Sequence, residues 1–233
     1  VAREETVSVA ERLAAVHERI ANAARTSGRD PGRVMLVAVS KTKSQDAIRE
    51  AYAAGQRAFG ENYAQELAAK SQALEDLRDL EWHFVGHLQA NKAKLVAKHA
   101  HVVHTVDSIA LARELGRRLS SAGRMTPLPV LVEVNAGGEP QKAGAAPGEI
   151  AEVMTAIQAL PTLALRGLMT VPPAGDLSVV RGVFETVSTL RNLHGGAKVL
   201  PELSMGMTAD LEVAIACGAT MVRVGTAIFG PRS

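Results

Sequence analysis

Lys41 follows the apolar run Val34-Met35-Leu36-Val37-Ala38-Val39 with only Ser40 between them. An amine at the end of a buried strand is partly desolvated, which lowers its pKa and makes it nucleophilic toward a carbonyl. A solvated loop lysine fits the same position, and Lys43, two residues on, reads as one. Two turns late in the chain offer a complementary chemistry. Leu203-Ser204-Met205-Gly206-Met207-Thr208-Ala209-Asp210 runs from a short strand into a helix, with Thr208 the expected N-cap. Val222-Arg223-Val224-Gly225-Thr226 ends another apolar run. Gly206 permits close backbone approach to a ligand, and N–H groups at a helix start attract anions. Gly225 and Thr226 add a backbone N–H and a hydroxyl. These turns suit a phosphate group, or they are turns and nothing more; spacing leaves both open. Arg223 is out of place in an apolar strand, and a buried guanidinium needs either a structural carboxylate or a ligand heteroatom.

The elements that would position these residues alternate. Val9, Leu13, Val16, Ile20 and Ala23 recur on one face of an expected first helix, residues 7–25. The Val34–Val39 run is too short for an independent helix and reads as a strand buried on both faces. Further strands are expected at 57–60, 82–86, 102–106, 130–134, 165–169, 202–205 and 221–224. Helices are expected at 63–77, 91–99, 109–121, 149–159, 177–193 and 209–217, and Tyr52 falls in a helical pattern. Strand–helix alternation implies parallel βαβ units. Eight such units in about 200 residues suit a closed barrel; six or seven would suit an open doubly wound sheet. The expectation is a single α/β domain over residues 1–233, a (β/α)8 TIM-type barrel with an extra helix in residues 1–30 packed on it. In such a barrel the working face is the C-terminal end of the strands, and the loops after strands seven and eight often bind phosphate.

Composition narrows the function classes. The chain has 233 residues, 47% of them hydrophobic, enough for a full core. Twenty-six basic and 24 acidic residues give a net charge of +2, no broad basic field for nucleic acid. The single cysteine, Cys217, reads as core and cannot form an internal disulfide, which fits a reducing compartment. Val1–Glu5 is polar and charged, unlike a signal peptide, and no apolar run reaches the ~20 residues of a membrane span. These features point to a soluble, cytoplasmic protein. Five of seven histidines lie between His83 and His104, but His83 and His87 sit on a strand and its loop, with no cysteine or carboxylate pair to complete a metal set. No metal is expected. Lys92, Lys94 and Lys98 read as a solvated helix face.

Seven segments, in order and across nearly the whole chain, match a known family. They are Val37–Lys43, Phe59–Glu66 (Phe-Gly-Glu-Asn-Tyr-Ala-Gln-Glu), Trp82–Lys92, His104–Ser108, Gly167–Thr170, Leu203–Asp210 and Val222–Gly230. The chain resembles the YggS/PROSC family of pyridoxal 5'-phosphate (PLP) homeostasis proteins, whose fold is similar to the barrel domain of alanine racemase, PLP fold type III. The resemblance implies that Lys41 carries PLP as a Schiff base. It also implies that Ser204, Gly206, Gly225 and Thr226 hold the phosphate, that Arg223 faces the pyridine nitrogen and that Asn62 lies near the ring. The loop Ala136–Gly144 departs from the family pattern, and Thr208 stands where serine is common but keeps a hydroxyl.

A cation beside the pyridine nitrogen disfavours its protonation and makes the ring a poorer electron sink. Racemases with that arrangement use two bases, one a tyrosine from a second domain. This sequence offers no second domain, and its tyrosines are Tyr52 and Tyr63. The family therefore implies an intracellular PLP carrier or reservoir without catalytic residues of its own. PLP-requiring apo-enzymes are the candidate recipients, and absence of the dimer-building second domain favours a monomer. Two other readings stand beside it: a PLP-dependent amino-acid racemase-like enzyme, and a phosphate-ligand barrel in which Lys41 is incidental.

Overall fold

In the computed structural model, which describes residues 7–231, eight parallel strands close into a barrel in the order β1 to β8. Chain order gives α1 (Val9–Thr26), β1 (Met35–Val39), α2 (Gln45–Ala53), β2 (Ala58–Glu61), α3 (Ala64–Ala73) and β3 (Glu81–Phe84). Then come α4 (Ala93–His99), β4 (Val102–Val106), α5 (Ile109–Ser121), β5 (Leu128–Glu133), α6 (Ile150–Gln158) and β6 (Leu163–Met169). The chain finishes with α7 (Leu177–Leu193), α8 (Gly196–Val199), β7 (Glu202–Ser204), α9 (Leu211–Ala216), β8 (Met221–Val224) and α10 (Thr226–Phe229). Closure is visible in β1, which pairs with β2 (Ala38 opposite Phe59) and with β8 (Leu36 opposite Val222). Residues 1–6 of the expected N-terminal segment lie outside the described residues.

Alternation along each strand separates two environments. Leu36, Ala38, Phe59, Val103, Val130, Val132, Leu168, Leu203, Val222 and Val224 belong to the apolar layer shared with the helices. The opposite set points into the lumen: a Cβ on Gly60 would meet the side chains of Val37, Val39 and Val85 at 3.1 to 3.4 Å. The helices bury their apolar stripes on the outer face, as Leu111, Leu115 and Leu119 do in α5.

The first helix has a role that its sequence did not disclose. The helix after β8, α10, is only four residues long. Helix α1, started by the Ser8/Glu11 capping box, packs against α2, α9 and α10 and fills the gap. Two arginines of α1 and one just after it tie down the C-terminal segments: Arg12 Nε donates to Ile228 O (2.8 Å), Arg19 Nη2 to Thr208 O (2.9 Å) and Arg29 Nη1 to Ile215 O (2.7 Å). No helix among the described residues is long and apolar enough to cross a membrane.

Strands β6 and β7 approach closely at Gly167. A Cβ on Gly167 would lie 1.9 Å from the Glu202 carbonyl oxygen, so a side chain there must push the two strands apart. Gly167→Ala is expected to cost about 2–3 kcal/mol, read as a lower urea midpoint at unchanged slope. An unchanged midpoint would contradict this contact.

Candidate functional site

A cavity of about 440 Å³ opens at the C-terminal ends of the strands, lined by Lys41, Asn62, Arg223, Gly225 and Thr226 among others. That volume falls within the ~300–1,000 Å³ usual for small-molecule pockets. Five of the seven residues expected at the site therefore share one wall system. Ser204 and Gly206 do not line it. Ser204 is fully buried, one layer below, with its hydroxyl engaged by neighbouring side chains. Gly206 has φ +98°, and a Cβ there would strike Ala214 at 2.5 Å, so the glycine is required by the turn itself. Gly225 also has a packing reason: its missing Cβ leaves room for the Val39 carbonyl, which a Cβ would approach to 3.0 Å.

Two local expectations are corrected. Thr208 is not the N-cap of the helix that follows. Helix α9 starts at Leu211, and the Asp210 carboxylate accepts the Met207 N–H (2.5 Å), so that N–H is already satisfied within the turn. Thr208 lines the cavity instead. Lys43 is half-buried rather than solvated: it lines the same cavity, and its Nζ donates to Pro231 O (2.6 Å).

The segment that presents Lys41 is clamped from beneath. Lys70 of α3, almost fully buried, donates from Nζ to Ser40 O (2.7 Å), Glu61 Oε1 (2.8 Å) and Glu66 Oε2 (2.9 Å). Ser40 Oγ donates to the same Glu61 oxygen (2.6 Å), and Glu66 Oε2 accepts the Thr42 N–H (2.8 Å). The peptides on both sides of Lys41 are thus fixed by one ammonium and two carboxylates. Thr42 takes φ +62°, a left-handed conformation that a β-branched residue adopts only when its surroundings impose it. Burial raises the Glu61 pKa above the ordinary carboxylate value, against the pull of Lys70 and Ser40.

Asn62 follows directly at the end of β2. Gly86 sits so close that a Cβ would fall 2.1 Å from the Asn62 carbonyl oxygen, which fixes that backbone in place. The Asn62 Oδ1 is buried and has no partner among the described residues, an acceptor left over on the cavity wall. Arg223, on β8, lies in the floor. Its Nη1 donates to Ser204 Oγ (2.7 Å) and its Nη2 to Thr170 O (2.9 Å). No carboxylate among the described residues lies within ion-pair distance. Burial lowers the guanidinium pKa to about 10, opposed by the more distant Glu133 and Asp210, so Arg223 is a cation at neutral pH.

Lys70, Glu61 and Glu133 were not singled out from sequence, and His83 and His104 entered only as part of a histidine group set aside as a metal site. Glu61 and Glu133 carry the same signal as Arg223, a charge at the end of an apolar strand. Glu133 is buried at the end of β5, and burial together with the Asp107 charge raises its pKa to about 7 despite Arg223. A folded pKa above the unfolded value means that the protonated carboxyl favours the fold below about pH 4, and that this benefit disappears as pH rises through 7. Glu133→Gln, which cannot ionise, is expected to match the wild type at pH 4 and to exceed it by about 2–3 kcal/mol at pH 8 in urea unfolding of the ligand-free protein. An equal effect at both pH values would contradict it.

With the geometry in view, the relatives of this chain can be placed. Residues 12–233 match the family model described as alanine racemase, N-terminal domain. A pyridoxal phosphate homeostasis protein of Pseudomonas aeruginosa is 45% identical over 227 residues, spanning 97% of this chain and 96% of that protein. The protein of the same name from Escherichia coli K12 is 44% identical over 230 residues, 96% of this chain and 97% of that one. Among solved structures, PipY of Synechococcus elongatus without PLP aligns with a TM-score of 0.86 at 40% identity, covering 96% of this chain and all of that one. Its form with PLP bound aligns at 0.81 and 37%, with the same coverage. An alanine racemase of Clostridium difficile shares the fold at a TM-score of 0.70 and 16% identity, with 95% of this chain matching 57% of the longer enzyme. The barrel, its lysine-bearing mouth and these whole-length matches agree: the chain belongs to the pyridoxal phosphate homeostasis protein family, built on the barrel that alanine racemase carries as its N-terminal domain.

Proposed function

We propose that this protein binds PLP at the barrel mouth through a Schiff base at Lys41 and serves PLP homeostasis as a carrier or reservoir. The observation that carries this reading is the convergence of Lys41, Asn62, Arg223, Gly225 and Thr226 on one cavity, with the Lys41 loop clamped from beneath by Lys70. When bound, PLP supplies an aldehyde for imine formation and a phosphate anchor. The residues present fit that group. The Asn62 Oδ1 is a buried acceptor without a partner among the described residues, and Arg223 offers a fixed cation in the floor of the same cavity.

Lys41 would hold the aldehyde carbon, and Gly225 and Thr226 the phosphate, at the strand end where barrels often bind it. Ser204 and Gly206 would serve that site from below, Ser204 by holding Arg223 and Gly206 by shaping the turn that brings Thr208 to the cavity. Arg223 would face the pyridine nitrogen and keep it unprotonated, which weakens the ring as an electron sink and favours storage over racemisation. Such a carrier limits free aldehyde in the cytoplasm, acts as a monomer and hands PLP to apo-enzymes that require it.

Titration of the ligand-free protein with PLP tests this. The wild type is expected to develop the visible imine absorbance. Lys41→Ala should lose it and keep only weak, phosphate-anchored binding, seen by ultrafiltration. Full retention of the band in Lys41→Ala would move the linkage elsewhere, first to Lys43. Rapid α-deuteration of free amino acids in heavy water by the loaded wild type would replace the carrier reading with the enzyme.

A further inference from the structure

Below the cavity, the barrel lumen holds a connected line of polar side chains drawn from four strands. Arg223 Nη1 on β8 donates to Ser204 Oγ on β7 (2.7 Å). Ser204 Oγ lies 2.8 Å from His104 Nδ1 on β4, and His104 Nε2 lies 2.8 Å from His83 Nδ1 on β3. The two imidazole rings meet edge to face, with centroids 5.1 Å apart. All four residues are at most 5% exposed.

The direction of every bond in this line follows from its ends. A guanidinium only donates, so Ser204 Oγ accepts from Arg223. Among the described residues the hydroxyl has just one other partner, His104 Nδ1. A fully buried hydroxyl proton without an acceptor is costly, so it is donated to His104 Nδ1. That nitrogen is then unprotonated, and His104 is neutral with its proton on Nε2. The Nε2–H is donated to His83 Nδ1, which leaves the His83 proton on Nε2. Burial, with the nearby His83 and Arg223, holds the His104 pKa well below the ordinary histidine value, in keeping with a neutral ring. The His83 Nε2 points toward Glu81 at the outer start of β3, 3.7 Å from its carboxylate and beyond hydrogen-bond reach.

We propose that His104, supported by His83, is a positioning residue for Arg223: its acceptor nitrogen turns the Ser204 hydroxyl so that both oxygen lone pairs face away from the histidine and one receives the guanidinium. Without that acceptor the hydroxyl is free to rotate, and its proton competes for the space that Arg223 Nη1 occupies. Among the described residues Arg223 has one other hydrogen-bond anchor, the Thr170 carbonyl. The aim of the Arg223 guanidinium thus depends on a histidine from the opposite side of the lumen. The consequence for ligand binding rests on the PLP reading above; the tautomer and the hold on Arg223 do not.

The first test uses the ligand-free wild type. Long-range proton–nitrogen correlation at pH 7 should show His104 with a pyridine-like Nδ1 and a pyrrole-like Nε2, and His83 with the same pattern. A proton on His104 Nδ1, or a doubly protonated ring, overturns the proposal. The second compares His104→Leu with His104→Asn, whose amide oxygen restores an acceptor near the Nδ1 position. His104→Leu should shift and broaden the Arg223 Nε–Hε resonance and weaken PLP binding about five- to tenfold, the loss of one well-made hydrogen bond. The imine band on Lys41 should still form, and His104→Asn should recover most of both effects. An Arg223 resonance unmoved in His104→Leu overturns the proposal. If the wild type itself fails to bind PLP while the tautomers and the Arg223 shift are as stated, the positioning role stands and the PLP reading falls. Should His104→Leu not fold, the wild-type tautomer measurement decides.

Discussion

The site depends on one buried ammonium. Lys70 binds the carbonyl of the residue before Lys41, and through Glu66 it also fixes the N–H of the residue after it. Burying a lysine between two carboxylates is costly unless every oxygen–nitrogen contact is well made, and removing one member of such a set leaves an unpaired charge worth several kcal/mol. That asymmetry makes the cluster a rigid base. It imposes the left-handed Thr42 and lets a flexible four-carbon side chain, Lys41, start from a fixed point at the rim.

The lumen below is held by a different device. A TIM-type barrel is usually filled with branched apolar side chains. Here Val37, Leu131, Met169 and Met221 share the interior with Arg223, Ser204 and two histidines. Among the described residues no carboxylate lies within ion-pair distance of the arginine. Its donors go to a hydroxyl and a carbonyl, and the line continues by hydrogen bonds alone. Stability must then come from the outer layer between strands and helices, where α1 supplements the four-residue α10 and pins the last turns of the described chain. Two jobs are thus divided between the two faces of the strands: the outward face supplies apolar burial, and the inward face carries polarity toward the cavity.

Much of this was legible in the sequence. The boundaries of α5, α7, β4 and β8 match those expected from apolar patterning, and the structure adds Ser108 and Asp176 as the N-caps of α5 and α7. Strand β2 lies one residue later than the expected 57–60, because Glu61 looks like a loop residue yet is buried in the strand, where Lys70 meets it from α3. Strand β5 begins earlier than expected, at Leu128, because Pro129 near a strand's start costs little pairing. Helix α9 begins later because Asp210 spends its carboxylate on the Met207 amide. Lys41 and Arg223 could be picked out because each is a charge beside or within an apolar run, whereas Asn62 came only through the family resemblance. His83 and His104 could not be joined, since 21 residues separate them and only the β3–β4 register brings them together. Ser204 carried the right position in the chain, but its depth within the barrel is a property of packing.

A clamped lysine at the rim, a cation in the floor and the Gly225-Thr226 turn share one cavity, in a chain whose whole length matches a family named for PLP homeostasis. The most direct measurement is borohydride reduction of the PLP-loaded protein followed by peptide mass mapping. The account predicts a single pyridoxyl adduct, on the peptide containing Lys41 and on that residue. An adduct confined to Lys43, or none on any lysine, would contradict it.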